Sequence, residues 1–209
     1  MRLLLIICTF LLLFPSCTTM TFSNIQSAKL VNKGESEFTP SYTALSGYQY
    51  NYGLQYAYGL DNKKNIRFRI ERLNMGDEFT FFGDEYDFNL DMTYIGGGVK
   101  YELKENLSSV YLPLSLTVGD GDDNILTMFE PTYLHTFSSK KDKFFSETSL
   151  SVKALIPLDA FSDASMALNI GFGFTTNSSK WVLRPEIGCL YTKDNNNITQ
   201  SSIGISFYR

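Results

Sequence analysis

Asn65-Ile66-Arg67-Phe68-Arg69-Ile70-Glu71 is the stretch that decides the fold. In a strand, successive side chains point to opposite faces. Ile66, Phe68 and Ile70 then share one face, and Arg67, Arg69 and Glu71 share the other. Charges in mid-strand behind a wholly apolar face describe a wall with oil on one side and water or ion pairs on the other. Repeated around a closed sheet, such a wall is a transmembrane β-barrel. The same alternation runs from about Glu37 to Arg209, broken by clusters of Asp, Asn, Gly, Ser and Lys.

Ten strands are expected, over about 37–45, 51–60, 65–73, 93–103, 109–118, 124–136, 145–157, 164–175, 180–191 and 200–209. An eight-strand barrel with two short accessory strands is the alternative. Most of these runs are about nine to twelve residues long. A tilted membrane strand needs ~9–11 residues, whereas strands of soluble proteins average ~5–6. Pro40, Pro113, Pro131, Pro157 and Pro185 each remove a ladder donor and point to bulges or rim positions. In the sixth run, placing Glu130 inside sends Phe129 and Tyr133 outward.

Composition agrees with this reading. Of 209 residues, 19% are charged and 15% aromatic, and mean hydropathy is −0.10. A helical membrane protein would be more hydrophobic, because its spans are continuous apolar runs. A barrel carries its lipid face in every second residue. The net charge of −4 argues against a nucleic-acid partner.

Residues 1–17 read as a targeting segment. Met1-Arg2 is a weakly positive start, and Leu3 to Phe14 is an apolar run too short to span a membrane. Ser16-Cys17 resembles the end of a bacterial lipoprotein signal, which makes Cys17 the candidate lipidation site; Phe14 and Pro15 depart from the usual pattern. Ordinary secretory cleavage, with Cys17 incidental, is the alternative. Residues 18–36 are polar without a period and are expected to form a periplasmic tether. Residues 37–209 form the barrel. Cys189 has no candidate partner except Cys17 and is expected to act as a small hydrophobe.

The breaks differ in character. Asp61 to Lys64, Lys104 to Asn106, Ser139 to Lys143 and Asn177 to Lys180 are short and Lys-rich. The intervening set is mostly acidic: Met75 to Asp91 is the longest, followed by Asp120 to Asp123 and Asp194 to Asn197. Outer-membrane barrels have short periplasmic turns and longer outer loops. An even strand count then leaves both barrel termini in the periplasm.

Lys33-Gly34-Glu35, Phe38-Thr39-Pro40-Ser41-Tyr42, Asn51 to Gln55, Tyr58-Gly59-Leu60 and Arg67 to Arg72 together resemble small outer-membrane β-barrel (lipo)proteins of Gram-negative bacteria, Bacteroidetes-like ones especially. The likeness covers about the first third of the mature chain. It implies a fold and a place, the bacterial outer membrane, and implies no activity. Ser202 to Arg209 resembles the closing strand read by the barrel-insertion machinery, although it ends in Arg with its aromatics one and two residues earlier. The implied partners are that machinery and outer-membrane lipid.

The candidate site is the inner face. Arg67, Arg69, Lys100, Lys153 and Arg184 balance Glu71, Glu102, Glu130, Glu147 and Glu186. Facing a narrow lumen, such charges must pair, because each costs several kcal/mol when desolvated alone. A packed ionic core is one reading; a narrow conduction path or a small polar ligand site is the other. Eight-stranded barrels are filled by side chains and water channels need ~16 strands, so a general porin is not expected.

Asp120, Asp122 and Asp123 are a weak cation candidate, since the rest of a calcium-loop pattern is missing. No other metal site, no cofactor and no enzymatic activity are expected. His135, the sole histidine, sits near a Lys-rich turn on the presumed periplasmic side, away from the rim where barrel hydrolases work. Gly96-Gly97-Gly98 lies within a strand and lacks the following helix of a phosphate loop. The expected function is a non-catalytic envelope protein, structural or partner-binding. The alternatives are a narrow channel for small polar solutes and a soluble lipocalin-like lipoprotein whose apolar faces turn inward around an apolar ligand.

Overall fold

The computed structural model describes residues 23–45, 49–81, 84–119, 125–138, 144–158, 164–192 and 198–209. The strands are β1 (Ser36–Leu45), β2 (Gln49–Asp61), β3 (Lys64–Phe81), β4 (Asp84–Lys104), β5 (Ser108–Gly119), β6 (Ile125–Phe129), β7 (Thr132–Ser138), β8 (Phe145–Pro157), β9 (Ser165–Phe174), β10 (Trp181–Tyr191) and β11 (Ile198–Tyr208). Successive strands pair antiparallel, except that β6 and β7 each pair with β5 and β8 and not with each other, and β1 pairs with β11, so the sheet has no free edge. Both β6 and β7 lie between β5 and β8. They are two halves of one stave, interrupted at Glu130-Pro131, where proline cannot donate to the ladder. The architecture is therefore all-β: a closed, up-and-down antiparallel barrel of ten staves.

Alternation sets the two surfaces. Phe68 and Leu114 point outward and are 53% and 56% exposed, and Ile70, Ile95, Leu116, Ile187, Ile203 and Phe207 join them on the outer wall. On β2 the outward residues read Tyr50, Tyr52, Leu54, Tyr56, Tyr58 and Leu60, a face of tyrosines and leucines with no charge. Such an uncharged face rich in aromatic and aliphatic side chains is what a barrel strand presents to a bilayer. Most inward residues are polar or small, with Leu73, Met92, Met128, Leu134, Leu155 and Leu190 among the larger apolar ones. This orientation excludes the lipocalin-like alternative, in which the apolar faces would line the interior.

The short turns share one rim with the start of β1 and the end of β11. The Ser36 N–H donates to the Arg209 carbonyl at 2.7 Å, beside the β1–β11 seam. At the β2–β3 turn the Lys63 backbone N–H donates to the Asp61 carboxylate at 2.8 Å and holds its pKa below the usual range.

Two expectations need correction. Met75 to Asp91, expected as the longest break, is not a loop. Instead β3 and β4 continue as a paired hairpin, in register from Met75↔Leu90 to Phe81↔Asp84. The alternation continues here, with Tyr86, Phe88 and Leu90 between Asp87, Asn89 and Asp91 and with Phe79 and Phe81 around Thr80, so the same period that builds the wall carries the ladder beyond it. Phe79 to Phe81 belong to this hairpin; Phe82 and Gly83 lie outside the described residues.

The second correction concerns 18–36. From Ser23 to Val31 the chain is not an external tether: it runs inside the barrel, with Ser23, Asn24, Ile25, Gln26, Ser27, Ala28 and Val31 buried. Two glycines make room for it. A Cβ on Gly59 would lie 2.0 Å from the Asn32 carbonyl oxygen, and one on Gly204 would lie 2.5 Å from Ile25 Cγ2. Residues 1–22, including Cys17, lie outside the described residues, as do Asp120, Asp122, Asp123 and 194–197.

Candidate functional site

The lumen is a stack of ionic layers threaded by the 23–31 strap. At the short-turn end, Arg67 pairs with Glu37 at 2.9 Å. Tyr208 donates to the same carboxylate at 3.3 Å and accepts from Arg184 at 2.9 Å. Arg184 pairs in turn with Glu147, whose other oxygen meets Lys29 of the strap at 2.8 Å. One chain of contacts thus crosses the barrel mouth from β3 through β1, β11 and β10 to β8.

Halfway up, Arg69 pairs with Glu71 at 2.5 Å and donates to the Ser23 carbonyl at 2.6 Å and the Ser23 hydroxyl at 2.7 Å. Its guanidinium also lies 5.3 Å from the centre of the Tyr94 ring. Glu130, held inward at the β6–β7 break, accepts from Tyr94 at 2.8 Å, from Ser115 and from Lys153 at 3.3 Å. Lys153 donates also to the Ser23 carbonyl at 3.2 Å.

Two wall charges depend on the strap backbone. Glu186 accepts the N–H groups of Asn24 at 2.7 Å and Ile25 at 2.9 Å. Lys100, fully buried at 0% exposure, donates to the carbonyls of Ser27 at 2.5 Å and Lys29 at 3.0 Å. Gln55 reaches the Asn24 carbonyl at 3.3 Å, and the Ala28 N–H donates to Thr136 at 2.6 Å. A buried backbone needs partners for its donors and acceptors. Here the wall supplies many of them, anions for N–H and cations for C=O.

Of the ten charges expected on the inner face, nine are buried: Arg67, Arg69, Glu71, Lys100, Glu130, Glu147, Lys153, Arg184 and Glu186. Glu102 is the exception. It is half-buried at the short-turn rim and accepts the Asn106 N–H at 2.9 Å. Glu37 and Lys29 complete the network and were not among the expected residues. Glu37 carries a signal in its place opposite outward Phe38 on β1; Lys29 carries none, since its segment has no period.

His135 is outward on β7, with its ring 4.5 Å from the Phe137 ring and its Nδ1 3.4 Å from the Tyr133 hydroxyl. Among the described residues, no group of three or more His, Cys, Asp or Glu is placed to hold a metal ion. A pocket of about 270 Å³ opens at the short-turn mouth, lined by Ser27, Lys29, Glu37, Arg67, Glu147 and Arg184 among others. The charged groups around it are already engaged with one another.

No protein-family model and no curated protein matches the chain. Solved structures similar to it include Ail of Yersinia pestis in a phospholipid bilayer nanodisc, 15% identical over 85% of this chain and 100% of that one, with a TM-score of 0.43. The N-terminal β-barrel domain of OprF from Pseudomonas aeruginosa is 9% identical over 85% of this chain and 98% of that one, at a TM-score of 0.34. Outer-membrane OmpT of Vibrio cholerae is 12% identical over 78% of this chain and 57% of that one, at 0.39. At such identities and scores the likeness carries no argument about function.

Proposed function

We propose that this chain is an outer-membrane β-barrel protein of the bacterial envelope with a structural or partner-binding, non-catalytic role, and that its own N-terminal segment closes the lumen. The carrying observation is the outer wall: an apolar, aromatic-rich band around a sheet without edges. In water an exposed apolar surface of that extent would drive aggregation; in lipid it is the ordinary surface of a spanning barrel. The short turns face the periplasm in this reading, together with the ends of β1 and β11. Residues 1–17 direct export, Cys17 carries lipid, and Ser202 to Arg209 is presented to the insertion machinery. A narrow channel is disfavoured by the strap, which occupies the path a solute would take.

Membrane fractionation tests the reading. The protein should stay in the outer-membrane pellet through alkaline and urea washes, dissolve in detergent, and run on a gel as a compact species that shifts on boiling. Release by the washes from a Cys17→Ser variant would mean a soluble barrel tethered only by lipid, and the membrane reading would fall.

A further inference from the structure

The apolar band of the outer wall is deeper on one side of the barrel than on the other. Its lower edge is level. Phe207, Phe38 and Ile66 on β11, β1 and β3, and Val110, Phe137 and Phe174 on β5, β7 and β9, all point outward within two residues of the strand end at the short-turn rim. Its upper edge is not level. On β5 the outward residues stay apolar through Leu112, Leu114, Leu116 and Val118. The next stave carries Phe129 and Ile125 outward with Thr127 between them, and Leu158, just past β8, is 56% exposed. On β11, by contrast, Ile203 is followed by Ser201 and Thr199, and on β3, Ile70 is followed by Arg72 and Asn74. Arg72 donates to Thr93 at 3.0 Å and pairs with Asp91 at 3.2 Å, both on the outer face of β4. Between β11 and β3, the outer face of β1 and β2 carries Tyr42 and Tyr50, their rings stacked at 6.3 Å, and Tyr52.

These positions are matched in height. Thr199 is nine residues from the short-turn end of β11, Arg72 eight from that of β3, and Leu116 eight from that of β5. The last apolar residue of the outward run is ten residues up on β5, Val118, and five up on β11, Ile203. A tilted strand rises ~2.5 Å per residue along the barrel axis, so the band is ~12 Å taller at β5 than at β11. A rigid tilt shifts both edges of a band together, so it does not serve a band that is level below and slanted above. A bilayer meets a short apolar span by thinning. Tyrosine rings and a partly exposed ion pair suit the headgroup level. We propose that the lipid leaflet at the long-loop rim is drawn down beside β11 to β3. Headgroups there stand against Thr199, Ser201, Arg72 and the tyrosines, while acyl chains cover Leu116 and Val118 across the barrel. The outer wall is then a lipid-contact surface of two depths. This rests on the membrane reading above.

Spin labelling of the full chain in phosphatidylcholine vesicles tests it, in a Cys17→Ser, Cys189→Ser background. Thr199→Cys and Leu116→Cys carry a nitroxide at the slanted edge; Ile205→Cys and Val110→Cys carry it near the level one. Depth is read as access to oxygen against access to a water-soluble nickel complex. The Leu116→Cys label should favour oxygen several-fold more than the Thr199→Cys label, while Ile205→Cys and Val110→Cys read alike. Should either upper variant fail to fold, Ser201→Cys and Leu114→Cys replace the pair. Equal depths at the upper pair overturn the proposal. So does an equal offset in the lower pair, which marks a tilted barrel. So does a Thr199→Cys label shielded from both reagents, which marks a protein partner or a second copy. Nickel access dominating at all four positions would bring down the membrane reading, and this inference with it.

Discussion

The Glu186 carboxylate accepts the Asn24 backbone N–H at 2.7 Å, a contact between the tenth strand of the wall and a segment that precedes the first. Its second oxygen takes the next N–H, from Ile25. Replacing the carboxylate by an amide removes the charge and turns one acceptor into a donor facing a donor. Glu186→Gln should weaken the strap's hold by about 1–3 kcal/mol. Limited trypsinolysis reads this at Lys29: cleavage should rise several-fold over the parent, while the barrel band persists. An unchanged digest would mean that Glu186 does not hold the strap.

Phe68→Arg tests the outer wall. Phe68 is on the outward face of β3, between Ile66 and Ile70. A charge near the middle of a lipid-facing strand costs about 2–4 kcal/mol. Urea titration of the protein folded in vesicles should show that loss. A loss below about 0.5 kcal/mol would place this face in water.

Arg67 and Glu37 form a buried pair at 2.9 Å. Removing one partner leaves an uncompensated charge, at a cost of about 3–5 kcal/mol. Arg67→Met should therefore be strongly destabilising, and Arg67→Met combined with Glu37→Leu should recover most of the loss. Additive losses in the double variant would show that the two groups are not coupled.

Gly59→Val should expel the lower strap. Its Cβ would fall 2.0 Å from the Asn32 carbonyl oxygen, a backbone atom with no freedom to swing aside. Lys29 should become open to trypsin as in Glu186→Gln, with the compact gel species retained. Protection equal to the parent would show that the strap can reroute.

Planar bilayers separate a plugged barrel from a channel. The full chain should be silent. A variant lacking residues 23–31 exposes a lumen whose buried cations and anions are close to balanced, and it should show small events with little ion selectivity. Steady conductance from the intact chain would revive the channel reading.

Much of this fold is legible in the sequence because the wall has two solvents, and each strand must say which face meets which. Ile66 to Glu71 states it plainly, and the facing of Glu130 followed from the same logic despite Pro131. The upper hairpin escaped although Tyr86, Phe88 and Leu90 alternate with Asp87, Asn89 and Asp91, because its density of acidic residues reads as a solvated loop. The strap escaped for a different reason. Its contacts with Glu186, Lys100 and Gln55 go to backbone atoms, which leave no mark on residue type. An indirect trace exists in the inward glycines at 59 and 204 and in the uncharged run Ser23 to Ala28 ahead of β1.

The strap leads directly into β1, and β1 is one lip of the seam that closes against β11. A chain lying inside a finished cylinder cannot enter sideways. It has to be laid in place before the lips meet, or be drawn in endwise afterwards past Glu186, Lys100 and Arg69. Biogenesis by the first route puts a clock on zipping: the last ladder to form waits for the cargo that the earlier ones already embrace.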